Sequence, residues 1–294
     1  MSEATATHWV WPALSATLPW PLGMRALSKV AAFSSVRLPD EEAAWRQAAR
    51  FARTNLPETK GRPAGEDQWR RAWRLTRLVD HADLFLSLSR TSAWARRYVS
   101  VTGAWPLNDP FLAITNHWGA GWCSLRYLRE SGHRARYLLR GIVESDLQRD
   151  RCLVNYMKLR VVATRRALGT PLIYTGNASE EIVRTWASGT SVVGLFDVPS
   201  EPGRASISAE FGQGSIKVPL GLIRLACEHR VPVVTFAAGV DRNTGRRNLT
   251  IDPAQIWTDP AELAASLARH LDSLLRNDSA SWHMWPYAGE LLGP

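Results

Sequence analysis

Apolar positions along the chain change period near residue 105. Before that point they follow helical spacing. Residues 40–55, DEEAAWRQAARFARTN, read as a helix with Asp40 as N-cap, acids in the first turn and arginines later. A polar loop containing Gly and Pro follows. From about Gln68 to Ser100 the pattern is helical again, with Trp73, Leu75, Leu78, Val79, Leu84 and Leu86 forming a wide apolar face.

After TGAWPLNDP the pattern becomes short apolar runs alternating with helical segments. FLAIT (111–115), ARYLL (135–139), PLIYT (171–175), SVVGLF (191–196) and VPVVTFAA (231–238) read as strands, too short for independent helices. Helices are predicted between them at 120–131, 145–168, 178–188 and 219–229. RRNLTID (246–252) adds a more exposed strand, and residues 259–277 form an amphipathic helix with proline in its first turn. This alternation predicts an α/β fold with a largely buried mixed sheet flanked by helices. Residues 1–105 form an N-terminal helical layer and residues 106–294 the α/β unit.

Composition narrows the class. The chain has 294 residues, 45% of them hydrophobic, enough to fill a substantial core. Cys123, Cys152 and Cys227 lie in separate segments without metal-ligand spacing, which fits a reducing cytoplasm and suggests neither a disulfide framework nor a structural zinc. The net charge of +9 is carried almost entirely by arginine, so anionic partners are favoured: nucleic acid, lipid head groups or an acidic carrier protein. No nucleic-acid-binding motif accompanies it. The opening stretch HWVWPALSATLPWPLGM contains no charged side chain but is too short and too proline-interrupted to span a bilayer. It has no signal-peptide cleavage pattern, and reads either as an interfacial anchor or as an arm packed on the domain.

The chemistry-bearing stretch is AITNHWGAGWCSL (113–125). His117 follows a strand and precedes a glycine-containing turn into a helix, where catalytic groups of α/β proteins often sit. A neutral imidazole there would take a proton from a hydroxyl. In SVVGLFDVPSEPG (191–203) an apolar run ends at Asp197, a position from which an acid can orient a histidine. Lys217 and Arg224 are candidates for contacting an anionic head group or carrier phosphate, with a solvated surface role as the alternative. No nucleophile elbow, Walker loop or dinucleotide fingerprint is present, and the histidines lack metal-ligand spacing.

In order along residues 110–255, TNHWGAGW, YLLRG, ASEEIVRTWASGTSVVGLFD and AEFGQGSIKVPLGLIRLACEHRVPVVTF resemble the lipid A biosynthesis (lauroyl/myristoyl) acyltransferases of the lysophospholipid acyltransferase superfamily. RTNLPE (53–58) and the tryptophan-rich WHMWPY add to the likeness. The resemblance implies a glycerolipid acyltransferase-like fold. It also implies transfer of a fatty or polyene acyl group from an acyl carrier protein or coenzyme A thioester to a lipid or glycolipid hydroxyl. His117 would be the general base and Arg140 the family's arginine. Acyl carrier protein, a lipid acceptor and an anionic membrane surface would be the partners, and the cytoplasmic side of an inner membrane the location. No metal or resident cofactor is implied.

The chain departs from the family at one position. Members have an acid five residues after the histidine, and this chain has Trp122. Asp197 is the first expected replacement and Glu201 the second. The tryptophan is expected to reshape the acceptor pocket. A catalytically inactive lipid- or carrier-binding protein and a thioesterase are the rival readings. A carboxylate within hydrogen-bond reach of His117 would discriminate against the inactive one.

Overall fold

The computed structural model describes residues 9–33, 38, 40–56, 65–108, 110–142, 151–176, 178–200 and 203–293. The helical layer comes first: α1 (Trp11–Thr17), α2 (Trp20–Ala32), α3 (Glu41–Asn55), α4 (Glu66–Ser89) and α5 (Ser92–Tyr98). The spacing of Trp20, Met24, Leu27, Val30 and Ala31 puts them on one face of α2, which packs against Leu75, Leu78, Val79, Ala82 and Leu86 of α4. Burying Trp20 alone withdraws about 150–250 Å² from water. At about 25 cal/mol per Å² this is worth roughly 4–6 kcal/mol. The tryptophan-rich start is therefore part of the fold, although Trp11, Leu14, Leu18 and Leu22 remain on its outer side. No helix among the described residues is long and apolar enough to cross a membrane.

Two boundaries differ from the sequence reading. Asp40 occupies the N-cap position of α3 but its side chain makes no cap. It adopts a left-handed φ of 63°, and the Glu41 carboxylate instead accepts the Leu38 amide. The segment expected to be helical to Ser100 breaks after Ser89. It restarts at α5, where the Thr91 hydroxyl accepts the Trp94 amide, and ends in a strand, β1 (Val99–Thr102). The sheet thus begins inside the region assigned to the helical layer.

The remaining elements are β2 (Leu112–Thr115), α6 (Trp122–Glu130), β3 (Ala135–Leu139), α7 (Arg151–Leu168), β4 (Ile173–Tyr174), α8 (Ala178–Ala187) and β5 (Ser191–Leu195). The chain continues through β6 (Ser206–Phe211), β7 (Gly214–Pro219), α9 (Leu220–Glu228), β8 (Val233–Val240), β9 (Arg247–Ile251) and α10 (Pro260–Asp278). It closes with α11 (Ala288–Leu291) and β10 (Leu292–Gly293). Seven strands form a mostly parallel mixed sheet in the order β1-β9-β8-β2-β5-β3-β4, the β8–β9 pair being antiparallel. Helices flank it. The central strand β2 is buried along its whole length, as its unbroken apolar run requires when both sheet faces are covered. A second, antiparallel sheet, β10-β7-β6, contains the stretch FGQG as its hairpin turn; the sequence suggested only a glycine loop there.

The helical layer is tied to the sheet by a buried ion pair. Arg247 of β9 is fully buried, bonds Asp83 of α4 and lies 4.3 Å from the Trp20 ring centroid. Taking two charges out of water is unfavourable unless both are well paired, and here they are.

Candidate active site

Strands β2 and β5 are adjacent and parallel, with Thr115 opposite Leu195. Two residues beyond each lie His117 and Asp197, so strand register brings together residues separated by 80 positions. The His117 Nδ1–H donates to Asp197 Oδ1 at 3.0 Å, and the His117 backbone N–H donates to Oδ2 at 2.8 Å. Oδ2 also accepts Nε1–H of Trp282 at 2.8 Å. Asp197 is wholly buried, and these three donors are what a carboxylate requires out of water. The proton held on Nδ1 leaves the Nε2 lone pair of His117 free. About a third of the His117 side chain is exposed, to a cavity.

The turn after His117 is held against the sheet and against residues 281–283. Gly119 has φ +58°, and a Cβ there would lie 2.2 Å from the Ala238 carbonyl oxygen, so only glycine fits. The amides of Gly119 and Ala120 donate to the carbonyls of Ser281 and Ala238. The His283 amide donates to the His117 carbonyl at 2.9 Å, and His283 Nε2–H donates to the Gly119 carbonyl at 2.7 Å. Burial drives the His283 pKa down to about 4, against a partial upward pull from Asp80, so its imidazole is neutral.

The cavity has a volume of about 1140 Å³, slightly above the usual range for ligand pockets of roughly 300–1,000 Å³. Its walls include Ile114, Tyr137, Leu138, Met157, Leu222 and Phe236, a mainly apolar surface. Among the described residues no group of His, Cys, Asp and Glu could hold a metal ion.

A second polar group opens on the same cavity. Arg160 of α7 lies 4.9 Å from the centroid of the Trp122 ring, and its Nη1 donates to Asp80 Oδ2 at 3.0 Å and to the Tyr156 hydroxyl at 3.3 Å. Burial by itself would lower the Arg160 pKa, but Asp80 more than offsets this and holds it above the ordinary arginine value. Burial likewise disfavours the Asp80 carboxylate, yet Arg160, through its charge and hydrogen bond, together with Arg77, keeps its pKa below the ordinary value.

His117 and Asp197 come together as expected, and Trp122 lines the cavity, buried beneath Arg160. Arg140 stands at its exposed rim. Lys217 and Arg224 do not line it. Lys217 points outward from β7, and Arg224 is paired with Glu228 on the outside of α9, one helical turn away. Both follow the solvated alternative, because alternate positions of a strand and the far side of a helix face water. Glu201 lies outside the described residues.

Sequence reasoning missed Asp80, Arg160, Trp282 and His283. The signal for Asp80 was a charge inside the apolar face of a long helix, LVDHADLF. Charges there are seldom buried unless paired.

No protein-family model matches the chain, and no curated protein matches it.

Proposed function

We propose that the chain is an O-acyltransferase that moves a fatty or polyene acyl group from a carrier-protein or coenzyme A thioester to a lipid or glycolipid hydroxyl. The observation that carries this reading is the Asp197–His117 pair at the edge of a large apolar cavity. A carboxylate within hydrogen-bond reach of His117 argues against the inactive binding protein. It also answers the loss of the family's acid at Trp122.

In this reading the acyl chain occupies the apolar cavity, with the thioester carbonyl near His117. The acceptor hydroxyl gives its proton to His117 Nε2 as its oxygen attacks the thioester carbon. Asp197 stabilises the imidazolium through Nδ1–H without itself taking the proton. The tetrahedral intermediate collapses, the carbon–sulfur bond breaks, and His117 returns the proton to the departing thiolate. With the Gly119 and Ala120 amides already bonded to carbonyls, donors for the oxyanion come from the first turn of α6, where Gly121 and Trp122 line the cavity. Those amides have no partner within the helix and lie at its positive end. The basic surface suits an acidic carrier protein or an anionic membrane.

The test is thiol release from palmitoyl-coenzyme A with and without a hydroxyl acceptor. His117→Ala should lower turnover by roughly 10²–10⁴ and, by removing one of the three donors to buried Asp197, lower the thermal melt by several degrees while leaving it cooperative. Unchanged turnover would remove His117 from the chemistry, and thiol release indifferent to acceptor would make the protein a thioesterase.

A further inference from the structure

Where the family has an acid, this chain has a tryptophan that seats an arginine. Arg160 is stacked on Trp122 and Tyr156 and fixed by one nitrogen to Asp80, yet 36% of its side chain remains exposed, and it lines the cavity into which His117 opens. Only Nη1 is used in the bonds to Asp80 and Tyr156, which leaves Nε and Nη2 without a hydrogen bond to the described residues in a side chain that lines the cavity. The charges around it do not cancel. Among the described residues, Asp80 is the carboxylate bonded to Arg160 and it also lies within the electrostatic reach of Arg77, while His283 beside them is neutral. An excess positive charge in a mainly apolar wall is unfavourable unless an anion meets it. A planar guanidinium with a free edge is suited to bidentate binding of a phosphate or carboxylate.

We propose that Arg160 is the receptor for an anionic group, a phosphate or carboxylate, carried by the acyl acceptor. Trp122 and Tyr156 provide the aromatic seat and Asp80 the fixed anchor that hold the guanidinium in place. The assignment to the acceptor rests on the acyltransferase reading. The donor offers the same chemistry in its pantetheine phosphate, so the two sources must be separated.

Tryptophan fluorescence, with Trp122 under Arg160 as reporter, serves for titrations with dodecyl phosphate, dodecanol and 4′-phosphopantetheine. The wild-type protein should bind dodecyl phosphate at least tenfold more tightly than dodecanol. Arg160→Gln should reduce that preference to less than twofold and leave 4′-phosphopantetheine binding unchanged, whereas His117→Ala should retain the preference. If removing the charge unfolds the protein by stranding Asp80, the double variant Asp80→Asn/Arg160→Gln replaces it, with circular dichroism verifying the fold. Equal binding of the two dodecyl compounds by the wild type, or a preference surviving in the Gln variant, overturns the proposal. Loss of phosphopantetheine binding instead moves the site to the donor and overturns the acceptor assignment. A phosphate preference without any acyl transfer leaves Arg160 as an anion receptor and rejects the enzymatic reading.

Discussion

Asp197→Asn separates the positioning of His117 from the integrity of the fold. Oδ2 accepts two N–H groups, from the His117 backbone and from Trp282, so an amide oxygen must keep that place. The amide NH₂ then faces His117 Nδ1, where Oδ1 had accepted a proton. Two donors cannot face each other, and the imidazole shifts its proton to Nε2, which removes the base from the acceptor side. Turnover should fall by about 10⁴, the scale of the equivalent change in a Ser-His-Asp triad. Two charge-assisted bonds become neutral ones, each weaker by about 1 kcal/mol. A chain of this size loses roughly 2–4 °C of Tm per kcal/mol, so the melt should drop by roughly 4–8 °C and remain cooperative. Asp197→Ala is the contrasting case, since it strands three buried donors at about 1–3 kcal/mol each. Thiol release from palmitoyl-coenzyme A, paired with a thermal melt, reads both effects. A folded Asp197→Asn protein with activity within tenfold of wild type would falsify the dyad.

Gly119→Ala forces a side chain to within 2.2 Å of a backbone oxygen at a left-handed φ and should cost about 3 kcal/mol or more, with turnover falling as the His117 loop shifts. Gly121→Ala meets nothing within 4 Å and should change stability by less than about 1 kcal/mol, a contrast that denaturant midpoints can measure. For His283, the folded pKa of about 4 lies below the ordinary 6.5, so the unfolded chain binds the proton more readily between those values. Its contribution is complete above pH 6.5 and is lost as pH falls towards 4, up to ~3 kcal/mol at about 1.36 kcal/mol per pH unit. Guanidinium unfolding at pH 7 and at pH 4.5 should show a smaller acid loss in His283→Gln than in wild type; equal losses would reject this account.

The parts of the fold legible in the sequence were those with a local cause. Unbroken apolar runs such as FLAIT and SVVGLF identified β2 and β5, because a strand buried on both faces needs no alternation. The pairing of His117 with Asp197 was legible because both residues follow such runs at a chemically suggestive place. The helices α4 and α5 and the start of β1 read as one helix, since Trp94 and Tyr98 of α5 continue the apolar spacing past the break at Arg90. Lys217 and Arg224 show the converse limit. A basic residue near a glycine turn carries no mark of which way it points, and strand alternation and helix face decided that. Arg160 and Asp80 belong to helices 80 positions apart, and only their tertiary meeting gives either a role.

Trp282 and His283 fasten both members of the dyad, through Asp197 Oδ2 and through the backbone of the His117 turn. During synthesis the ribosome delivers Asp197 85 positions before Trp282. A nascent chain therefore holds its base and its carboxylate long before it holds the clasp that fixes them. The site matures late: strand register can bring His117 beside Asp197 once β5 is made, but the donors that fasten the pair arrive only with residues 282 and 283.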